Sequence, residues 1–341
     1  MTRTSNGTTA REAGFRMPAE WEPHARCWMQ WPHRTDFIWP DIGRTQLAYA
    51  NVAKAIRRFE PVTMMVCEQG LANARALCGD EIDYFVVPLD DSWARDSGPI
   101  FVKRGDELGA SIFLFNAWGR KYDRYNNDAA LGHRVAEALG IRTFSANAFL
   151  EGGAIAVDGE GTIITAEQCM LNANRNPGMT RAEAERILCE ALGGEKVIWV
   201  PGDPEDSETD GHIDALACFV RPGVVLCAVG AEELPERRRN LHENWKALEK
   251  ATDARGRSLE LIPLGEALEA TASTDIYCNS YMNFYIANGG IVFPGFGTDT
   301  DQAAQDIVSK LFPGRSLAAV NVSDIAPGGG GIHCITQQQP A

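Results

Sequence analysis

Short apolar runs suited to strands alternate with amphipathic helical stretches along the whole chain, and chemically useful polar residues recur at the strand mouths. This alternation is the tightest constraint on the fold. The strand-like runs include PVTMMV (61–66), YFVVP (84–88), SIFLF (111–115), TIIT (162–165) and GVVLCAV (223–229). Helical stretches cover roughly 43–59, 128–139, 180–192, 235–251 and 300–312. The third is the best marked: Thr180 and Glu183 form a capping box, Ile187, Leu188 and Leu192 line one face, and Gly193 ends it. An α/β architecture follows. The recurring polar residues are Asp96, Glu151, His212, Asn283 and Cys334, separated by gaps of 55, 61, 71 and 51 residues. Such recurrence is what repeat or propeller-like assemblies show, one supersecondary unit per repeat. Any α/β chain yields some such spacing by chance, and identity between the segments is low.

No Gly/Ser linker or low-complexity tract divides the 341 residues, and PGGGGI (327–332) lies too close to the end to join domains. The expected organisation is a disordered N-terminal tail over 1–14 and a single domain over 15–341. The tail is polar and lacks an apolar core, so no secretory signal is expected. No run reaches the 18 or more apolar residues that a membrane helix needs. The formal net charge of −14 repels nucleic acid phosphates and anionic membranes and favours cationic partners. It is equally the charge of a protein that merely has to stay dissolved. Nine scattered cysteines with no C-x-x-C pair fit neither a disulfide framework nor a zinc ribbon. Cys67, Cys218 and Cys227 lie in apolar runs and read as small buried hydrophobes. A reducing cytoplasm is the expected location.

Several residues could carry chemistry. Cys334 stands in GGGGIHCITQQQP, where glycines allow tight folding and close approach of a ligand, and I-H-C-I-T reads as a strand. A nucleophile and a buried hydrophobe explain it about equally well. His212 lies in ETDGHIDALACFV; as a strand entry, Asp210, His212 and Asp214 would share one face. A histidine between carboxylates can be kept protonated and oriented, as a general acid requires. A capped turn explains the same text. H-x-D is also half of a metal site, but no further His or Cys cluster completes one. Asp96 interrupts an apolar stretch beside Trp93, and Glu151 precedes a Gly-Gly turn and a hairpin. Each alone reads as a solvated turn residue; together they suggest a negatively charged pocket.

MPAEWEPHARCWMQWP (17–32), DDSWARDSGPIFV (90–102), LEGGAIAVDGEGTIIT (150–165), NANRNPG (172–178), ETDGHID (208–214) and GGGGIHCITQQQP (328–340) resemble the agmatine deiminase family, in order and in register. The resemblance implies the pentein-type α/β propeller, five ββαβ-like units around a pseudo-fivefold axis. It implies hydrolysis of agmatine to N-carbamoylputrescine and ammonia, with no metal or organic cofactor. It makes Cys334 the nucleophile, His212 the acid/base and Glu151 the carboxylate that orients the histidine. Asp96 and Asp214 match the pair that holds the guanidinium, Trp93 lines the pocket, and Glu208 falls where the family binds the amine end. Members often carry Asn before I-H-C, where this chain has Gly331. The expected partner is a small cationic guanidino compound, with no nucleic acid and no membrane, and a homodimer or higher homo-oligomer is compatible with it.

A guanidinium is a poor electrophile, so a site for it must hold it planar through charge-assisted hydrogen bonds and attack it with a thiolate. Carboxylates then replace the amide donors of a protease site, since no oxyanion forms in the first step. The rival readings are a deiminase acting on arginine or another small guanidino compound, and an amidinotransferase that passes the amidino group to an amine. A peptidylarginine deiminase and a guanidine-binding module without catalysis stand further off.

Overall fold

The computed structural model describes residues 7–35, 38–268, 270, 274 and 276–341. Sixteen strands follow in chain order: β1 (His24–Gln30), β2 (Val62–Val66), β3 (Asp83–Val86), β4 (Ile100–Arg104), β5 (Glu107–Leu114), β6 (Arg142–Phe149), β7 (Ile155–Val157), β8 (Thr162–Ala166), β9 (Lys196–Val200), β10 (Ala217–Arg221), β11 (Val224–Ala228), β12 (Glu260–Leu264), β13 (Tyr285–Ala287), β14 (Gly290–Gly295), β15 (Ser316–Asn321) and β16 (Thr336–Pro340). The chain gathers into two compact units. One holds Asp96–Pro263 with the N-terminal residues up to Glu22; the other holds Pro23–Arg95 and Leu264–Gln339.

The first unit contains the sheets β4-β5-β6, β7-β8-β9 and β10-β11-β12. Each opens with an antiparallel hairpin and then crosses over through a helix to a third strand. The crossover helices are Leu131–Leu139, Arg181–Leu192 and Pro235–Glu249. β5–β6 and β8–β9 pair in parallel, as a crossover requires. The helix after Thr180 has the expected capping box, and Gly193 ends it in the left-handed conformation at φ 66°. Such a cap contributes about 1 kcal/mol. Residues 7–14, expected to be part of a disordered tail, fold onto this unit. Ala10 is fully buried and the Arg11 N–H donates to the Glu190 carbonyl at 3.0 Å. Residues 1–6 of that expectation lie outside the described residues.

The second unit contains β13-β14-β15, built on the same strand–strand–helix–strand plan with the helix Asp301–Leu311. Its other sheet is β16-β1-β2-β3, in which the last strand of the chain lies beside the first. Helices Ile42–Arg57 and Leu71–Cys78 make the crossovers to β2 and β3, both parallel. The five polar residues read from the sequence have consistent positions in this plan. Asp96, Glu151, His212, Asn283 and Cys334 each stand two to five residues ahead of β4, β7, β10, β13 and β16, the opening strand of one sheet. Among the described residues no cysteine forms a disulfide. Among the described residues, no helix is long and apolar enough to cross a membrane.

Candidate active site

The first unit brings four of the expected residues together over one glycine. Gly153 follows Glu151 in a short 3₁₀ turn ahead of the β7–β8 hairpin. A Cβ at position 153 would stand 2.6 Å from His212 Nδ1, 2.9 Å from Asp96 Oδ1 and 3.1 Å from Asp214 Oδ2. Only glycine leaves those three polar atoms room to converge. The Gly153 N–H donates to Asp96 Oδ1 at 3.0 Å. Asp96 comes from the short helix Ala94–Ser97, and Asp214 from the 3₁₀ turn Ile213–Ala215.

The strand entry expected for Asp210, His212 and Asp214 is not formed. β10 starts only at Ala217, and Asp210 takes φ 60°. The face-sharing argument therefore fails for Asp210, which turns away from Asp214 to bind Arg175, Asn174 and Lys121. His212 and Asp214 still meet, because the turn rather than a pleat brings them to Gly153.

His212 is 1% exposed. Its Nε2 lies 3.2 Å from Glu151 Oε2, and its Nδ1 is 3.9 Å from Asp96 Oδ1. Burial opposes the charged imidazolium, but the Asp96 charge and the Cys169 and Glu151 hydrogen bonds raise its pKa well above the ordinary value. Among the described residues, Nδ1 has no hydrogen-bond partner, so the fixed Nε2–Glu151 contact leaves one ring nitrogen available to a ligand. Glu151 is fully buried; burial works against its ionisation, yet His212 and Arg175 hold its carboxyl down to about 2. Asp96 moves the other way. Burial raises it, the charges of Asp214 and Glu151 add to the rise, and His212 and the Trp118 hydrogen bond oppose it.

Three participants were not singled out in the sequence. Arg175, also fully buried, donates from Nε to Glu151 Oε1 at 2.9 Å and pairs with Asp210. It lies in NANRNPG, where an arginine among turn residues was the available signal. Trp118 Nε1 donates to Asp96 Oδ2 at 2.9 Å, so both Asp96 oxygens are engaged. Cys169 Sγ is 3.8 Å from Glu151 Oε2, and burial raises its thiol pKa, keeping it neutral. Glu151, Cys169 and His212 bring possible metal-ligand atoms within 4.8 Å of one another. Arg175 already neutralises the carboxylate of that trio, which disfavours a divalent cation there.

Glu208, half-buried, accepts from the Tyr122 hydroxyl at 2.7 Å through Oε1. Burial pushes its carboxyl above the ordinary range, against the Tyr122 hydrogen bond and the Lys121 charge. Lys121 Nζ donates to the Glu208 carbonyl at 2.6 Å and to Asp210 Oδ2 at 2.8 Å.

The second unit brings Cys334 and Trp93 together. Cys334 is 7% exposed and lies in a turn just ahead of β16, not within the strand expected for I-H-C-I-T. The Cys334 carbonyl accepts from the Arg95 N–H at 3.1 Å, which ties the turn to the segment carrying Trp93. The Trp93 ring lies 5.4 Å from that of Trp39, and a Cβ at Gly330 would meet Trp93 Cζ3 at 2.5 Å and Cys334 Cβ at 3.0 Å. Asn283 clamps the thiol: Nδ2 donates to Cys334 Sγ at 3.2 Å, Oδ1 accepts from the Cys334 N–H at 3.2 Å, and the Asn283 carbonyl accepts from the His333 N–H at 3.1 Å. This accounts for Gly331. A Cβ there would stand 2.7 Å from Asn283 Oδ1, in the space the clamp fills.

Five small sheets, four on a strand–strand–helix–strand plan and the fifth joining the last strand to the first, with one polar residue ahead of each opening strand, define a pentein. Within that class, the chain belongs to the family described as Porphyromonas-type peptidyl-arginine deiminase, which it matches over residues 16–340. A protein of Ectopseudomonas mendocina (strain ymp) named agmatine deiminase is 41% identical over 364 residues, covering 99% of each chain. A protein of the same name from Pseudomonas aeruginosa (strain LESB58) is 42% identical over 365 residues, again covering 99% of each. The solved structure titled agmatine deiminase of Enterococcus faecalis catalyzing its reaction has a TM-score of 0.96 at 35% identity, covering 99% of each chain.

Proposed function

We propose that this chain hydrolyses agmatine to N-carbamoylputrescine and ammonia through a covalent intermediate on Cys334. The observation that carries the reading is the acceptor-rich character of the Gly153 cluster. Carboxylates of Asp96 and Asp214 and a charged imidazolium converge there, and the acceptors suit the N–H groups of a cation rather than an oxyanion. The agmatine deiminase names of relatives at about 41% identity over the full length support the same substrate.

In this reading Asp96 and Asp214 hold the guanidinium, Trp93 lines the pocket, and the Cys334 thiolate adds to the guanidinium carbon. His212 gives its Nδ1 proton to the departing ammonia, leaving a cationic thiouronium. The neutral imidazole then takes a proton from water, whose oxygen adds to the same carbon. Collapse breaks the C–S bond and returns the thiolate while the hydroxyl proton passes to solvent, forming the C=O bond of the released ureido product. Glu151 keeps His212 oriented, and Arg175 keeps Glu151 ionised. Asn283 holds the thiol in place. Glu208 receives the ammonium end of agmatine. Residues 15–341 act as a single catalytic domain in the cytoplasm, as a homodimer or higher homo-oligomer, with no metal or organic cofactor.

The family description favours a second reading, a peptidyl-arginine substrate. Such a substrate brings no ammonium to Glu208 and would desolvate that carboxylate without supplying a cation to it, at a cost. Incubating the purified protein with agmatine, arginine and a peptidyl arginine, and measuring ammonia and ureido product, decides between them. Turnover of agmatine with little of the peptide is expected; preferential turnover of the peptide would overturn the proposal.

A further inference from the structure

The segment 116–122 is the most strained stretch of the first unit. Ala117, Trp118, Gly119 and Arg120 have φ of 53°, 52°, 91° and 62°, a run in the left-handed region that L-residues avoid. Local bonds hold it there. Asn116 Oδ1 accepts from the Gly119 N–H at 2.9 Å, its carbonyl accepts from the Arg120 N–H at 2.7 Å, and its Nδ2 donates to the Asn174 carbonyl at 3.0 Å. Strain kept in place by so many partners marks a segment with a task.

The task is visible in where its polar tips go. Trp118 Nε1 reaches Asp96, Lys121 Nζ reaches Asp210 and the Glu208 carbonyl, and the Tyr122 hydroxyl reaches the Glu208 carboxylate. The Trp118 and Tyr122 rings meet edge to face at 5.7 Å, so the two contacts are packed against each other. We propose that Tyr122 determines specificity: it holds the Glu208 carboxylate oriented for the ammonium end of the substrate, while Trp118 on the same strained segment holds Asp96 for the guanidinium end. Tyr122 is thus a positioning residue, acting through Glu208. The inference rests on the reading that Glu208 receives the ammonium.

Steady-state kinetics of Tyr122→Phe, Glu208→Gln and the double variant, with agmatine and with arginine as substrate or competitor, test it. Phenylalanine keeps the ring against Trp118 and removes only the hydroxyl. Loss of a partner that orients a binding group commonly costs about tenfold, so Tyr122→Phe should raise KM for agmatine about tenfold. Its kcat should change less than about twofold, and arginine binding should hardly change. In the Glu208→Gln background the same substitution should add less than about twofold, since its effect passes through the carboxylate. A Tyr122→Phe effect that falls equally on both substrates, or that persists in full without the Glu208 charge, overturns the proposal. If Glu208→Gln narrows selectivity while Tyr122→Phe changes nothing, Tyr122 alone is refuted. If Glu208→Gln leaves selectivity untouched, the assignment of the ammonium subsite fails, and the inference with it.

Discussion

Glu151→Gln is the sharpest test of the role given to His212. The carboxylate oxygen lies 3.2 Å from Nε2, and both groups are buried. At an effective dielectric of about 20, unit charges at that separation attract by about 5 kcal/mol. That sets a ceiling of about 4 pH units on the change, at about 1.4 kcal/mol per unit. A charge-assisted hydrogen bond is worth roughly 1.5–3 kcal/mol net, so a fall of about 1–2 units in the His212 pKa is expected. Arg175, no longer neutralised by Glu151, works in the same direction. A general acid must be protonated, so kcat/KM declines as pH rises through the His212 pKa. The variant should move that alkaline limb down by about 1–2 units in a pH–rate profile of ammonia release. Stability gives a second reading. The folded His212 pKa is raised, so its contribution is full below the ordinary 6.5 and is lost as pH rises through the folded value. Glu151 is depressed to about 2, so its contribution is present above the ordinary 4.5 and is lost as pH falls through about 2. The melting-temperature gap between wild type and variant should therefore be widest from about pH 5 to 6.5 and shrink on either side. An alkaline limb that stays in place would refute the assignment of His212 as the acid held by Glu151.

Cys334→Ser should fold normally and lose turnover, because a hydroxyl is far harder to ionise than a thiol. Mass spectrometry of acid-quenched wild type should find an adduct on the Cys334 peptide, and ammonia release by the serine variant would count against it. Gly331→Asn, which restores the residue common in the family, should displace Asn283 and cut kcat by about tenfold or more; unchanged kcat would show that the clamp is dispensable. Activity should survive prolonged dialysis against EDTA, since Arg175 already neutralises the carboxylate of the Glu151, Cys169 and His212 trio. Restoration by one divalent ion after a loss would assign a metal to those residues.

The rhythm of the fold was legible because it comes from repetition. The same strand–strand–helix–strand plan recurs, so polar residues at one point of the plan recur in the sequence, and each of the five stands ahead of an opening strand. Helices with caps and strands with unbroken apolar runs were legible for the same local reason: Thr180, Glu183 and Gly193 act within a few residues of one another. Local pattern misled where a turn replaced a strand. Alternation in D-G-H-I-D suggests a pleat, but Asp210 takes a positive φ and Gly211 follows at 80°, so the chain turns and His212 and Asp214 meet by a different route.

The supporting residues were hidden for a different physical reason. Arg175 lies 24 residues from Glu151, Trp118 22 from Asp96 and Tyr122 86 from Glu208. None of these separations follows the period of the repeat, and nothing local distinguishes a tryptophan that packs from one that donates to a carboxylate. Such partners lie on the crossover loops, where no periodicity constrains the side chain and tertiary packing decides its direction. A repeat therefore announces one polar residue per unit and conceals the partners that set the charge of these acids. In this chain the concealed group, Arg175 on Glu151, Trp118 on Asp96 and Tyr122 on Glu208, adjusts how each acid behaves. Substrate selectivity should accordingly be altered more readily by changes in these loops than by changes in the recurring residues, whose loss removes the chemistry itself.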